Sequence, residues 1–196
     1  MSTTVGFRQM KDGTRADYQL LERLERDYAQ ELPERVLAAL ARLDAGLAGY
    51  PVSRLGHSLQ TATRALRDGA DDELVVAALV HDVGDDLAPY NHAEVAAAIL
   101  RPYVRPEVTW IVAQHGLFQS YYYAHHYDRD RHGRERFRGH RWFEACAAFC
   151  ERWDQASFDP AYRSEPLERF APLVRAVFRR PAHDPRYVGA GGADGA

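Results

Sequence analysis

A pair of metal-binding side chains stands at the end of an apolar segment near the middle of the chain. The segment Leu74–Val80 is entirely apolar, and it is followed directly by His81 and Asp82, with Gly84 allowing a turn. An ionised Asp at the end of a buried helix is costly unless a cation or a partner compensates its charge. The pair therefore predicts a metal site, provided that other elements supply further ligands.

Two pairs of histidines are spaced so that helix packing would bring each pair together. His57 lies near the start of a predicted helix, and His81 ends the next one. Helices joined by a short turn pack antiparallel, so the start of the first lies beside the end of the second. His92 and His115 are related in the same way, because they open and close the following two predicted helices.

Asp154, at the end of a later predicted helix, completes a set of four imidazoles and two carboxylates. This set is too large for one closed site and fits two metal ions, with one carboxylate bridging and positions open for water or substrate. Each residue alone has a plainer interpretation, since a single histidine at a helix end is more often a cap or a core residue, and Asp154 could cap the following turn. The predicted metal ligands are His57, His81, Asp82, His92, His115 and Asp154.

The order His57…His81-Asp82…Asp154 resembles the signature of the HD-domain superfamily of metal-dependent enzymes. The resemblance covers the chain from about Ser53 to Asp154. It implies that the first His, the His-Asp pair and the closing Asp hold one metal ion.

Two further histidines resemble a feature of the dinuclear branches of this superfamily. His92 and His115 are similar to the insertions that create a second metal position there, with Asp82 as the bridge. These branches include phosphohydrolases and diesterases that act on nucleotides, and diiron oxygenases such as myo-inositol oxygenase and the enzymes that cleave hydroxyphosphonates oxidatively. The run from Gly56 to Gln60, together with the His-Asp-Val-Gly run, is most similar to the oxygenases.

The resemblance to the oxygenases implies two irons in the mixed-valent Fe(II)/Fe(III) state and dioxygen as a co-substrate. The expected reaction is oxidative cleavage of a C–C or C–heteroatom bond in a small hydroxylated substrate, which could carry an amine. The alternative is hydrolysis of a nucleotide or another phosphate ester by two ions, which could then be Mn or Mg. A metal-free helical binding domain is a third possibility, but it would leave His81 and Asp82 buried without compensation.

Several residues depart from the pattern of the relatives that bind anions. Asp85, followed by Asp86, stands where many relatives have Lys or His, and Gln119 and Glu151 stand where the phosphonate-cleaving relatives have a Lys and an Arg. A carboxylate facing a phosphate costs roughly several kcal/mol in a low-dielectric site. These residues therefore argue against a phosphonate substrate, unless Asp85 and Asp86 merely face solvent.

The residues expected to act on the substrate lie next to the predicted ligands. We expect Asp82, Asp85 and Gln119 to take part in catalysis. The residues expected to contact the substrate are Asp85, Asp86, Gln119, Tyr122 and Glu151.

A segment rich in Tyr, His and Arg follows the fourth predicted histidine. Residues 118–127 could form the lid and wall of a pocket, and aromatic faces near Asp side chains would suit an ammonium group. The plainer interpretation is that these amphipathic aromatics pack on the helical core. The arginines of residues 129–138 resemble a solvated surface, with a phosphate-binding patch as the alternative.

The periodicity of the apolar residues predicts an all-α fold, with one HD-type bundle of about seven or eight helices over residues 15–180. Residues 1–14 are a predicted lead-in, and the Gly- and Ala-rich end predicts a disordered tail over 181–196. The predicted sixth helix ends at His115, before Gly116, and the next helix runs from about Trp142 to Gln155.

Composition limits the possible partners and compartment. The chain has 196 residues and a net charge of −3, so no general attraction to nucleic acid is expected. No apolar run reaches membrane-spanning length and the first residues do not resemble a signal peptide. Cys146 and Cys150, the two cysteines, are expected to be small buried residues, which suits a cytoplasmic protein. The sequence leaves the oligomeric state open.

Overall fold

The computed structural model describes residues 4–189. These residues form nine α-helices, joined by loops and short 3-10 or π-helical turns, and they contain no strand. This architecture confirms the predicted all-α fold. The helices are α1 (Arg15–Gln30), α2 (Leu32–Arg42), α3 (Arg54–Arg67), α4 (Asp72–Val80), α5 (His92–Leu100), α6 (Pro106–Tyr123), α7 (Phe143–Phe149), α8 (Leu167–Phe178) and α9 (Pro185–Val188). No helix in this part of the chain is both long and apolar enough to cross a membrane.

Helices α3 and α4 form the pair that the site depends on. The Ser53 hydroxyl accepts a hydrogen bond from the backbone N–H of Gly56 and so caps α3, and the Asp71 carboxylate caps α4 in the same way. Gly69 adopts a φ of +76° at the turn between them, a conformation that costs glycine little. The turn brings the end of α4 back beside the start of α3.

Helix α4 lies at the centre of the bundle. Its residues from Val75 to Val80 are all buried, and it packs against α3, α6 and α8. A helix that is apolar on every side is stable only when it is surrounded by other elements. The position just after α4 is therefore among the least exposed in the fold, and His81 occupies it with no exposed surface.

The segment after His115 differs from the prediction. Helix α6 continues through Gly116 to Tyr123, because a single glycine weakens a helix by only about 1 kcal/mol and the helical burial pattern continues. Phe118 is fully buried and packs against Phe143 at a ring distance of 5.1 Å. Short 3-10 turns at Ala124–Tyr127 and Gly133–Phe137 then lead to α7.

Two further differences concern the last part of the chain. The helix predicted through Gln155 is α7 followed by a π-helical turn, Cys150–Asp154, and such turns are frequent at functional sites. The predicted disordered tail includes α9, which Asp184 caps, and the backbone N–H of His183 donates to the carbonyl of Pro102. Residues 190–196 of that predicted tail lie outside the described residues.

Candidate metal centre

The six predicted ligands lie together, although they come from different elements, and all of them except His81 line one cavity. His57 lies in the first turn of α3, His81 and Asp82 follow α4, and His115 is in the middle of α6. His92 is the first residue of α5, and Asp154 is the last residue of the π-helical turn. The convergence follows from the antiparallel packing predicted for α3 with α4 and for α5 with α6.

The first cluster consists of His57, His81, Asp154 and one oxygen of Asp82. The Nε2 atoms of the two histidines are 3.0 Å apart. Asp154 Oδ1 is 3.2 Å from His57 Nε2 and 3.7 Å from His81 Nε2, and Asp82 Oδ2 is 3.6 Å from both nitrogens. All four residues are buried, so this cluster could hold a metal ion enclosed by protein atoms.

The second cluster consists of His92, His115 and the other oxygen of Asp82. Asp82 Oδ1 lies 3.2 Å from His92 Nε2 and 3.3 Å from His115 Nε2. The side chain of His115 is 3% exposed and that of His92 is 24% exposed. The two oxygens of Asp82 therefore face two different histidine pairs, which is the arrangement required of a bridging carboxylate.

The four histidines are oriented by the protein backbone. The Nδ1 of each ring lies within hydrogen-bond distance of a carbonyl oxygen, so we assign its proton to Nδ1. This tautomer leaves the Nε2 lone pair free for a metal ion, and such outer contacts orient metal-binding histidines in general. The acceptors are Ser157 for His57 (3.1 Å), Ala78 for His81 (2.9 Å), Pro89 for His92 (3.3 Å) and Val112 for His115 (2.7 Å).

In the metal-free first cluster, the imidazoles and the carboxylates stabilise each other's charged forms. Burial opposes the charged form of His57 and His81, but the charges and hydrogen bonds of Asp82 and Asp154 outweigh it and raise the pKa of both histidines. Burial likewise opposes the charged form of the carboxylates, but the histidines hold the pKa of Asp82 and that of Asp154 below the usual range.

A buried polar atom fits a bound cation. Asp154 Oδ2 has no hydrogen-bond partner, and buried carboxylate oxygens are normally satisfied. The donors in the two clusters are imidazole nitrogens and carboxylate oxygens, which suit first-row transition metals such as iron. The residues therefore fit two metal ions that share Asp82.

The remaining predicted site residues fall into two groups. Gln119 and Tyr122 line the cavity, and Gln119 Nε2 donates to Asp154 Oδ1 at 3.0 Å. Asp85, Asp86 and Glu151 do not line it.

The three residues outside the cavity lining make other contacts. Asp85 Oδ2 is 3.2 Å from Arg54 Nε and Asp85 Oδ1 is 3.9 Å from His92 Nδ1, so this residue lies behind the site. Asp86 Oδ2 is 3.6 Å from Arg42 Nε on the surface. Glu151 lies on an exposed face of the π-helical turn. Helix ends and loop turns can be predicted from sequence, but the direction of a loop side chain depends on the neighbours it meets.

The cavity has a volume of about 430 Å³, and an aromatic wall forms part of its lining. Within the predicted lid segment, Tyr122, Tyr123 and Tyr127 line the cavity, whereas Tyr121 lies beneath Arg131 and Arg134. The ring of Phe158 stacks on His57 at 4.4 Å, and Tyr50 stacks on Phe158 at 5.1 Å.

The lining residues that sequence reasoning missed include Tyr50, Phe158 and Arg54. Arg54 precedes His57 by three residues on one helix, so helical spacing could have placed both on the same face. Tyr50 and Phe158 lie in loops, for which no periodic signal exists. Their contributions depend on contacts that only the folded chain makes.

The loop that carries Phe158 is held against α3 by several hydrogen bonds. Gln60 Nε2 donates to the carbonyl of Asp159 at 2.9 Å, and Arg64 Nη2 donates to the carbonyl of Ala156 at 2.8 Å. The backbone N–H of Glu165 donates to Thr63 at 2.9 Å. Helix α3 therefore positions both His57 and the loop whose carbonyl orients its ring.

Neither the arginine-rich segment nor the cysteines belong to the cavity lining. Arg138 pairs with Glu135 on the surface, as expected of a solvated face. Cys146 and Cys150 are buried, and burial raises the pKa of the Cys150 thiol well above its usual value. The thiols are therefore small buried groups, as predicted.

Comparison with known proteins agrees with this geometry. Residues 54–145 match the model of the HD domain family, and Asp154 lies beyond the matched range. Just under half of the chain is therefore similar to the HD domain family, and the converging histidines and aspartates support a metal-dependent enzyme of this kind.

A relative from Leisingera caerulea, a (1-hydroxy-2-(trimethylamino)ethyl)phosphonate dioxygenase described as glycine-betaine-forming, is 32% identical over 84 residues. The similarity covers 37% of this chain and 43% of that relative, so the chain matches less than half of its length.

Proposed function

We propose that this protein is a dinuclear iron oxygenase that uses dioxygen to cleave a C–C or C–heteroatom bond of a small, hydroxylated, amine-bearing substrate. The observation that carries the proposal is the division of the two Asp82 oxygens between two histidine pairs, both of which contribute residues to the cavity lining. The similarity to a relative named as a dioxygenase supports oxygenation over hydrolysis. When bound, two irons would supply Lewis-acid activation of a substrate hydroxyl and the redox capacity for oxygen chemistry.

The second cluster is where this chain would expose substrate to the metals. It offers two histidines and one carboxylate oxygen, which leaves coordination positions unfilled by the protein. His92, His115 and Asp82 all line the cavity. A volume of about 430 Å³ lies in the range of small-molecule sites, so a substrate with few heavy atoms fits the available space.

The aromatic wall would bind the amine. Tyr50, Tyr123, Tyr127 and Phe158 line the cavity and provide ring faces, which attract ammonium groups by about 0.5–2 kcal/mol each. The relative's name specifies a trimethylamino group in its substrate. We therefore include a quaternary or protonated amine in the substrate class.

The proposal is tested by metal content and oxygen dependence. Protein loaded anaerobically with Fe(II) should contain two irons per chain. Partial oxidation should give a mixed-valent electron paramagnetic resonance signal that hydroxylated amines and hydroxyphosphonates perturb. Oxygen consumption with one of these compounds completes the test, whereas a protein that holds no iron pair would contradict the proposal.

Hydrolysis of a phosphate ester is the second candidate, and the presence of Arg54 in the cavity favours it. The same six residues could hold two Mn or Mg ions around an attacking water. Release of phosphate from nucleotides with Mn or Mg, in the absence of oxygen, would select this function over oxygenation.

A further inference from the structure

Arg54 is the one arginine or lysine among the residues that line the cavity, within the part of the chain that the structure describes. Its side chain is 16% exposed, and its Nη1 lies 3.5 Å from Asp82 Oδ2. The guanidinium is therefore beside the carboxylate that joins the two clusters. A substrate that reaches the clusters would meet this positive charge.

The guanidinium of Arg54 has unused hydrogen-bonding capacity. Arginine carries five N–H donors in a planar fork, and buried donors normally have partners. Here Nε is buried without a hydrogen bond, although Asp85 Oδ2 is 3.2 Å away, and the contact of Nη1 with Asp82 is long. The fork is thus charged and close to the clusters without being saturated by protein acceptors.

The surroundings of Arg54 fix its position before any ligand arrives. Ser53, the preceding residue, caps α3 and also donates from its hydroxyl to Asp44 Oδ1 at 2.8 Å. The guanidinium lies over the ring of Tyr50 at 4.9 Å, and Asp85 contacts it from the other side of the loop after α4. A guanidinium held in this way loses little freedom on binding, which favours recognition of a planar oxyanion.

We propose that Arg54 binds an oxyanion of the substrate, either a carboxylate or a phosphonate. This inference rests on the proposed function and specifies its substrate as a small zwitterion, with the acidic group at Arg54 and the ammonium group at the aromatic wall. Arg54 would supply the positive charge that Gln119 and Glu151 do not supply.

Asp85 sets the strength of this anion site. Its carboxylate neutralises part of the charge of Arg54, and it does not line the cavity. An incoming oxyanion must therefore compete with Asp85 for the guanidinium. Removal of the Asp85 charge should strengthen oxyanion binding, whereas removal of the Arg54 charge should weaken it.

The test measures binding of simple probes to the iron-loaded protein by calorimetry without oxygen. The probes are methylphosphonate, acetate and choline. Arg54→Gln should weaken binding of the preferred oxyanion about tenfold or more, as expected for a charge-assisted contact, and should not weaken choline binding. Arg54→Lys should retain part of the affinity, and the surface variant Arg42→Gln should match the wild type. Whether methylphosphonate or acetate responds decides between the two oxyanions.

Asp85→Asn provides a second test if Arg54→Gln does not fold, because it should tighten oxyanion binding severalfold. The inference is overturned if the wild type binds neither oxyanion or if Arg54→Gln binds the oxyanions as tightly as the wild type. It is also overturned if Asp85→Asn does not bind the oxyanions more tightly than the wild type. If the protein consumes oxygen but gives one of these results, the proposed function stands and the anion site is refuted. If the protein hydrolyses phosphate esters without oxygen and the Arg54→Gln variant loses oxyanion affinity, the anion site is supported and the oxygenase function is refuted.

Discussion

The two clusters share Asp82 but differ in how far the protein encloses them. The side chains of His57, His81 and Asp154 are 2%, 0% and 3% exposed, whereas that of His92 is 24% exposed. The first cluster is surrounded by protein donors, and the second has fewer donors and borders a groove as well as the cavity. Enclosure suits retention of an ion, and openness suits exchange of substrate.

The difference has its origin in the elements that build each cluster. The first cluster follows the central helix α4 and the π-helical turn, both supported by the core. The second depends on the start of α5, which follows a loop with Leu87 and Tyr90 largely exposed. Local opening is cheaper where fewer buried contacts hold an element, so the second cluster should be lost first under stress.

The largest effect is expected from Asp82→Ala, because both clusters use this carboxylate. Metal content should fall well below two ions per chain, and activity should fall more than about 100-fold, since even outer contacts of ligands cost about 10–100-fold. Metal analysis measures the metal content, and oxygen consumption measures the activity. Asp86→Ala, a change to a surface-paired residue nearby, should retain two ions, and full metal binding by Asp82→Ala would contradict the bridging role.

His92→Ala should separate the clusters. The variant should keep one ion in the first cluster and lose the other with most of the activity, because His92 is one of only two histidines in the second cluster. His57→Ala should instead remove the enclosed ion and lower the melting temperature of the loaded protein. Retention of two ions by His92→Ala would refute the assignment of two positions.

Gly84→Ala should weaken the second cluster without touching any ligand. A Cβ at this position would lie 2.8 Å from the carbonyl oxygen of His92 and 2.9 Å from Cβ of Val95, so the start of α5 must move. We expect loss of the second ion, with a decrease of about 1–3 kcal/mol in the free energy of unfolding. Gly139→Ala is the matched control, because a Cβ there meets nothing within 4 Å and the residue does not line the cavity; equal effects of both changes would contradict this explanation.

Gln119→Leu should act on the first cluster alone. Its amide donates to Asp154 Oδ1, and loss of such a contact lowers metal affinity by about 10–100-fold. Competition with a chelator measures the affinity of each ion. Gln114→Leu, on the same helix but outside the cavity lining, should leave both affinities unchanged.

The smallest expected effect is a pH dependence of the first cluster. In the metal-free protein the pKa of His57 and that of His81 are raised, so protons occupy these rings over a wider pH range and compete with a metal ion. Metal affinity should therefore fall as pH decreases through the raised pKa values and level off above them, with proton release on binding. If the metal affinity of the first cluster stays constant from acidic to basic pH, this coupling between proton and metal binding is contradicted.

The sequence determined most helix ends, because caps, turn glycines and apolar periodicity are local properties of the chain, although His115 lies in the middle of α6 and not at its predicted end. Ser53 and Asp71 cap α3 and α4, and helix packing brings together His57 with His81 and His92 with His115, as the antiparallel rule predicted. The close approach of the six candidate ligands could therefore be predicted without the structure.

The tertiary structure alone decided how these residues face one another. Ser157 orients His57 across 100 residues of sequence, and Phe158 then covers its ring. Asp85 contacts Arg54 instead of the cavity. The division of the Asp82 oxygens between two histidine pairs likewise depends on the packing of four separate elements, and no local pattern encodes contacts between side chains so distant in the chain.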